Sequence, residues 1–229
     1  MILTVTAGKG GVGKSTVAYN LAAELGAVAI DADLGMADLP SARGPDLHDV
    51  LAGRASAVEA VRESGPVNLL PCGRSLVGAR GADPAELVDA VASVARHYGQ
   101  VVIDSPAGLR CDAGLPLLVA DACVLVTCPT RASVASALRT RELARAVEAP
   151  LARVVLNRVS PDRLAEPTER AAQLAATLGA PVTRLPESDA VARAQRTGQP
   201  LARVAPSSTA ADQFRALAAA VEGLPDADR

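Results

Sequence analysis

The chain contains two lysines, Lys9 and Lys14, and both lie in Gly8-Lys9-Gly10-Gly11-Val12-Gly13-Lys14-Ser15-Thr16. The remaining 21 of its 23 Lys and Arg residues are arginines. Retention of lysine only here points to a need for a compact three-donor ammonium that a planar guanidinium does not meet. The spacing matches G-x-x-x-x-G-K-[ST]. In that pattern glycines let backbone N–H groups curl around phosphate oxygens, the terminal lysine reaches the β/γ-phosphates and the hydroxyl ligates Mg²⁺.

The flanking residues supply the elements such a turn requires. Ile2 to Thr6 is a short β-branched run that reads as a strand, and Val17, Leu21 and Leu25 recur at helical spacing after Lys14. The turn therefore sits at a helix N-terminus, where orphan amides and the positive dipole end favour an anion.

The rest of the chain alternates strand and helix patterns. Further strands are expected at Ala27 to Asp31, Val67 to Pro71, Gln100 to Asp104, Ala122 to Cys128, Arg153 to Asn157 and Pro181 to Leu185. Helices are expected at Pro84 to His97, Val134 to Val147, Arg163 to Leu178 and Ser208 to Val221. Several strands are continuous apolar runs, as expected when helices cover both sheet faces. The expected fold is α/β, a doubly wound and mostly parallel sheet flanked by helices, in which ligands bind beyond the carboxyl ends of the strands. Two strand ends carry carboxylates: Asp31-Ala32-Asp33 closes one, and Asp104 closes Val101-Val102-Ile103. Beside a phosphate loop, Asp104 is placed to hold Mg²⁺ directly or through water. Asp31 and Asp33 could equally cap the following segment.

Composition narrows the function classes. At 229 residues, 49% hydrophobic, the chain is long enough for one substantial core and short for two domains, so residues 1–229 read as a single domain with a short acidic tail at 223–229. A net charge of −2 argues against a surface built throughout for nucleic acid, and Tyr19, Tyr98 and Phe214 are too few for a base-stacking platform. Cys72, Cys111, Cys123 and Cys128 include no C-x-x-C pair and read as reduced, packed thiols. Without a basic, apolar leader or an apolar stretch approaching the roughly 20 residues needed to cross a bilayer, a cytoplasmic location is expected.

These motifs together resemble the MinD/ParA family of deviant Walker A P-loop ATPases. The resemblance runs from about residue 2 to about residue 221 and is MinD-like in detail. It rests on the extra Lys9 of Lys9-Gly-Gly-Val-Gly-Lys-Ser-Thr16, on Asp31-Ala-Asp-Leu-Gly-Met-Ala-Asp-Leu39, on Leu47-His-Asp-Val-Leu-Ala-Gly53 and on Ile103-Asp-Ser-Pro-Ala-Gly108. Asn157-Arg158, Leu185-Pro186-Glu187-Ser188 and Gly198-Gln-Pro200 fall where that family has similar elements.

The resemblance implies a SIMIBI-type P-loop fold and Mg²⁺-dependent ATP hydrolysis by a homodimer formed in the ATP state. It implies that Gly8, Gly10, Gly11, Val12 and Gly13 form the phosphate loop, with Lys14 on the β/γ-phosphates, Ser15 on Mg²⁺ and Thr16 on the α-phosphate. Lys9 would reach the phosphates of the partner subunit, and Asp33 would position or polarise the attacking water. Asp104 and Asp31 would belong to the magnesium shell, and adenine would lie against Asn157, Arg158, Pro186 and Glu187. An activating protein partner is part of the expectation, with a role in spatial organisation such as division-site placement.

Departures and rivals bear on that expectation. Asp38 stands where MinD proteins commonly have asparagine, and the tail Gly223-Leu-Pro-Asp-Ala-Asp-Arg229 argues against membrane anchoring by a basic amphipathic helix. A ParA-like partition ATPase would need non-specific DNA contact, for which Arg139, Arg141 and Arg145, with Arg193, Arg196 and Arg203, are the candidates. An iron–sulfur carrier or reductase of the same fold would use Cys111, but Cys72 offers no matching second ligand loop.

Overall fold

The computed structural model describes residues 1–34, 39–40, 43–73, 81–108, 111–165 and 169–223, without the side chains of residues 111, 112, 161 and 165. Expectations that fall on Gly35 to Asp38, on Cys111 as a ligand and on the tail from residue 224 lie outside the described set.

In chain order, β1 (Ile2–Ala7) leads through the glycine turn into α1 (Lys14–Leu25), followed by β2 (Val28–Asp31), α2 (Leu47–Leu51) and β3 (Leu69–Leu70). A 3₁₀ turn at Pro84–Glu86 runs into α3 (Leu87–Tyr98), then β4 (Val101–Asp104), α4 (Cys111–Leu118), β5 (Ala122–Thr127) and α5 (Arg131–Ala146). The last third holds β6 (Leu151–Val159), α6 (Pro161–Ala165), α7 (Glu169–Leu178), β7 (Val182–Pro186), α8 (Asp189–Thr197), α9 (Leu201–Val204) and α10 (Thr209–Glu222). All seven expected strands are present. The helix expected from Val134 begins at Arg131 instead, because Thr130 caps it by accepting from the Ser133 amide at 3.2 Å.

The strands form one sheet in the order β3-β2-β4-β1-β5-β6-β7, and every strand pair is parallel. Side chains alternate between its faces. Leu3, Val5 and Val102 pack with Val17, Leu21, Phe214 and Leu217 beneath α1 and α10, whereas Ile30, Val101 and Ile103 pack with Leu47, Val91 and Val94 beneath α2 and α3. Burial of both faces explains why β4 and β5 read as nearly continuous apolar runs. The chain winds outward from β1 to β3, returns through β4, then crosses β1 to build β5, β6 and β7. The reversal places a crevice at the carboxyl end of β1, where ligands bind in this architecture.

Candidate functional site

The glycine turn occupies that crevice. Gly11 and Gly13 have φ of 76° and 93°, a left-handed conformation that L side chains rarely adopt, and Gly13 is the N-cap of α1. Gly8 is required for another reason: a methyl group there would overlap the Ser136 carbonyl of α5. Val12 pins the turn to the body of the protein. Its side chain is buried, and its carbonyl accepts from Asn157 Nδ2 at 2.8 Å and from the Cys128 thiol at 3.7 Å. Among the described residues, a methyl on Gly10 or Gly11 would meet no atom within 4 Å. The outer rim of the turn thus leaves room for an anion to reach the backbone amides.

Beneath the turn the sheet register sets two carboxylates side by side, since Asp104 on β4 is level with Asp31 on β2 and with Val5 on β1. Both carboxylates are 0% exposed. Lys14, at the first position of α1, sends its ammonium into this pair, 2.6 Å from Asp104 Oδ1 and 3.5 Å from Ser15 Oγ. Asp31 accepts from the amides of Asp33 and Leu39, both at 3.3 Å. Burial, reinforced by the Asp104 charge, pushes the Asp31 carboxyl up to about 7 despite those amides and Lys14. Lys14 and Asp104, expected on phosphate and metal respectively, are therefore paired with each other. Asp31 also organises the loop that carries Asp33.

Asp31 and Asp104 stand side by side beneath the turn that carries Ser15. With the Ser15 hydroxyl they form an all-oxygen donor set of the kind Mg²⁺ takes, usually alongside phosphate oxygens and water. The residues present fit that ion, with Ser15, Asp31 and Asp104 as those that would hold it.

The residues expected around a base meet through an irregularity in β6. Its pairing with β7 slips by one residue between Leu156 and Val159, and Arg158 has φ of 57°. The bulge aims Asn157 at the phosphate turn and leaves Arg158 exposed. Val159 then pairs with Pro186 and accepts from the Glu187 amide at 2.9 Å, which brings Pro186 and the exposed Glu187 to the same end of the sheet. Lys9 is exposed on the turn, and the charges of both Lys9 and Arg158 act on Cys128, which burial nevertheless pushes up. Thr16 lies on the other flank, lining a cavity of about 280 Å³ with Ser15, Tyr19, Pro40, Gln195 and Arg196.

Tyr19 and Asn20 were not singled out by the sequence. Tyr19 donates to the Gly198 carbonyl at 2.9 Å, while Asn20 donates to the Thr16 carbonyl at 2.8 Å and accepts from the Leu201 amide at 2.7 Å. They tie α1 to the Gly198-Gln-Pro200 turn, and a buried asparagine on an otherwise apolar helix face was the available signal. Of the candidate DNA-binding arginines, Arg141 is committed to the Leu178 carbonyl at 3.0 Å and to Glu142 at 2.7 Å, whereas Arg193, Arg196 and Arg203 are exposed. Cys72 and Cys123 are buried free thiols, and Cys128 is a half-buried one.

A glycine turn between the first strand and first helix of a doubly wound sheet, with paired strand-end carboxylates below it, defines a P-loop protein. The chain matches the CobQ/CobB/MinD/ParA nucleotide binding domain over residues 3–201 and belongs to that family. It is 34% identical, over 98% of its length and 89% of the relative's, to an uncharacterized ATP-binding protein of Methanocaldococcus jannaschii. Among solved structures it resembles the cell division ATPase MinD of Pyrococcus furiosus (TM-score 0.85, 28% identity, 97% of this chain and 98% of that one). It also resembles the septum site-determining protein MinD of Pyrococcus horikoshii complexed with Mg-ADP (TM-score 0.85, 28% identity, 96% and 95%). No described helix is long and apolar enough to cross a membrane.

Proposed function

We propose that this chain is a single-domain, MinD-like ATPase that binds Mg·ATP in the glycine turn, dimerises in that state and returns to monomer on hydrolysis to ADP and phosphate. The observation that carries this reading is the buried meeting of Lys14, Asp104 and Asp31 beneath an open glycine rim. Kinship with a MinD protein complexed with Mg-ADP supports the choice of nucleotide.

Phosphoryl transfer demands positioning and charge neutralisation rather than covalent chemistry from the protein. The amides of Gly10 to Lys14 cradle the phosphates, Lys14 turns from Asp104 toward the β/γ-phosphates and Thr16 takes the α-phosphate. Mg²⁺, when bound, spreads the developing charge between phosphate oxygens. Ser15, Asp104 and Asp31 would hold it, directly or through water, and Asp33 orients the attacking water. Asn157, Arg158, Pro186 and Glu187 line the base.

Lys9, exposed on the same turn, serves the partner's triphosphate. Because that contact exists only with triphosphate bound, nucleotide state sets dimer state. Such a switch suits the spatial organisation of a cytoplasmic assembly, such as division-site placement through an activating partner.

The test is fluorescent-ATP binding and phosphate release by wild type and Lys14→Ala with Mg²⁺. Saturable binding and slow turnover by wild type, both lost in the variant, are expected. Equal binding by the two proteins would refute the reading.

A further inference from the structure

A second polar cluster contacts the Asp31–Leu34 loop. Cys72 follows β3 and His48 is the second residue of α2, and each is 2% exposed. The Cys72 thiol donates to the Asp33 carbonyl at 3.3 Å. His48 Nε2 lies 3.3 Å from the Leu34 carbonyl and 3.6 Å from Cys72 Sγ. A carbonyl can only accept, so it is Nε2 that donates to Leu34. Among the described residues Nδ1 has no hydrogen-bond partner. A methyl group on Gly73 would overlap it, so the ring is packed in place from behind.

The platform under the two donors is itself fixed. Asp46 forms a reciprocal capping box with Asp49 at the start of α2, and the Leu47 amide donates to the Pro71 carbonyl at 2.9 Å. Burial and the charges of Asp31, Asp33 and Asp46 hold the Cys72 thiol well above its ordinary range, which keeps the S–H available as a donor.

We infer that Cys72 and His48 are positioning residues that clamp the carbonyls of Asp33 and Leu34, while Asp31 holds the Asp33 amide. Three backbone polar groups around the Asp33 side chain are thereby fixed: its own N–H by Asp31, its own carbonyl by Cys72 and the next carbonyl by His48. The clamp rests on the proposed water-orienting role of Asp33. Misplacing a positioned group by about 1 Å costs roughly 100-fold in rate, so turnover depends on the clamp whereas ATP binding, made by the glycine turn, does not.

The experiment compares wild type, Cys72→Ala, Cys72→Ser, His48→Leu and His48→Gln in two assays. In the first, kcat should fall roughly 10- to 100-fold in Cys72→Ala and His48→Leu, with KM and fluorescent-ATP affinity within about twofold of wild type. Cys72→Ser and His48→Gln, which keep a donor at each site, should recover most of the rate. Equal kcat in wild type, Ala and Leu variants, or an equal loss in the donor-retaining pair, overturns the clamp.

In the second, hydrogen–deuterium exchange of the peptide containing Asp33 and Leu34 should rise in the Ala and Leu variants and not in the Ser and Gln variants, with exchange in β1 unchanged. Unaltered exchange at Asp33 and Leu34 overturns the clamp even if no variant hydrolyses ATP. A wild type without turnover refutes the ATPase reading instead, and exchange alone then decides the clamp.

Discussion

Replacing Asp31 by asparagine should change the pH dependence of stability in a direction fixed by the site. The Asp31 carboxyl, 0% exposed beside Asp104, is raised from 3.8 to about 7. The folded protein therefore holds this proton in a range where the unfolded chain has released it. With fewer protons bound by the unfolded state, stability falls as pH rises from about 4 to about 7. The full shift, at about 1.4 kcal/mol per pH unit, is worth about 4 kcal/mol at most.

The substituted amide carries no charge and removes that slope. It also keeps one side-chain acceptor where Asp31 uses both oxygens, for Asp33 and Leu39, and the lost acceptor costs about 1–3 kcal/mol. The Asp31→Asn variant should consequently be less stable than wild type by about 1–3 kcal/mol at pH 4, and more stable by a similar amount at pH 8. Urea unfolding of both proteins without nucleotide, at half-unit pH intervals, reads this crossover directly. A difference of constant sign and size from pH 4 to pH 8 would refute the claim that burial raises Asp31.

Lys14→Ala should destabilise the nucleotide-free protein by about 3–5 kcal/mol, because it breaks the buried Lys14–Asp104 ion pair; urea unfolding at pH 8 measures it, and a loss below about 1 kcal/mol would refute that weight for the pair. Gly10→Ala meets no atom of the described residues within 4 Å, so its unfolding free energy should stay within about 0.5 kcal/mol of wild type. Its affinity for fluorescent ATP should nevertheless fall at least tenfold as the methyl blocks approach to the amides, and unchanged affinity would remove Gly10 from the cradle.

The parts of this protein that local chemistry dictates were legible in its sequence. Strand-like runs mark all seven strands, with glycine or aspartate bounding β2, β4 and β5, and the spacing from Gly8 to Thr16 marks the turn, since each depends on neighbours along the chain. What escaped is what tertiary contact decides. Arg158 takes a left-handed conformation without being glycine, so nothing local announces the β6 bulge that turns Asn157 toward Val12. The Lys14–Asp104 pair joins residues 90 positions apart, and Cys72 meets the Asp33 carbonyl 39 positions away. Helix α8 was missed as well, because its apolar face rests on the small residues Ala190, Val191 and Ala194 in a short stretch that is otherwise mostly polar.

The switch rests on a lysine serving its partner's triphosphate, and sedimentation velocity with Mg·ATP tests this most directly. Wild type and Asp33→Ala should both shift from monomer to dimer with ATP, the latter lastingly because it does not hydrolyse, while Lys9→Ala should bind fluorescent ATP and remain monomeric. A Lys9→Ala protein that dimerises with ATP as fully as Asp33→Ala, or a wild type that stays monomeric when saturated with Mg·ATP, would contradict the switch.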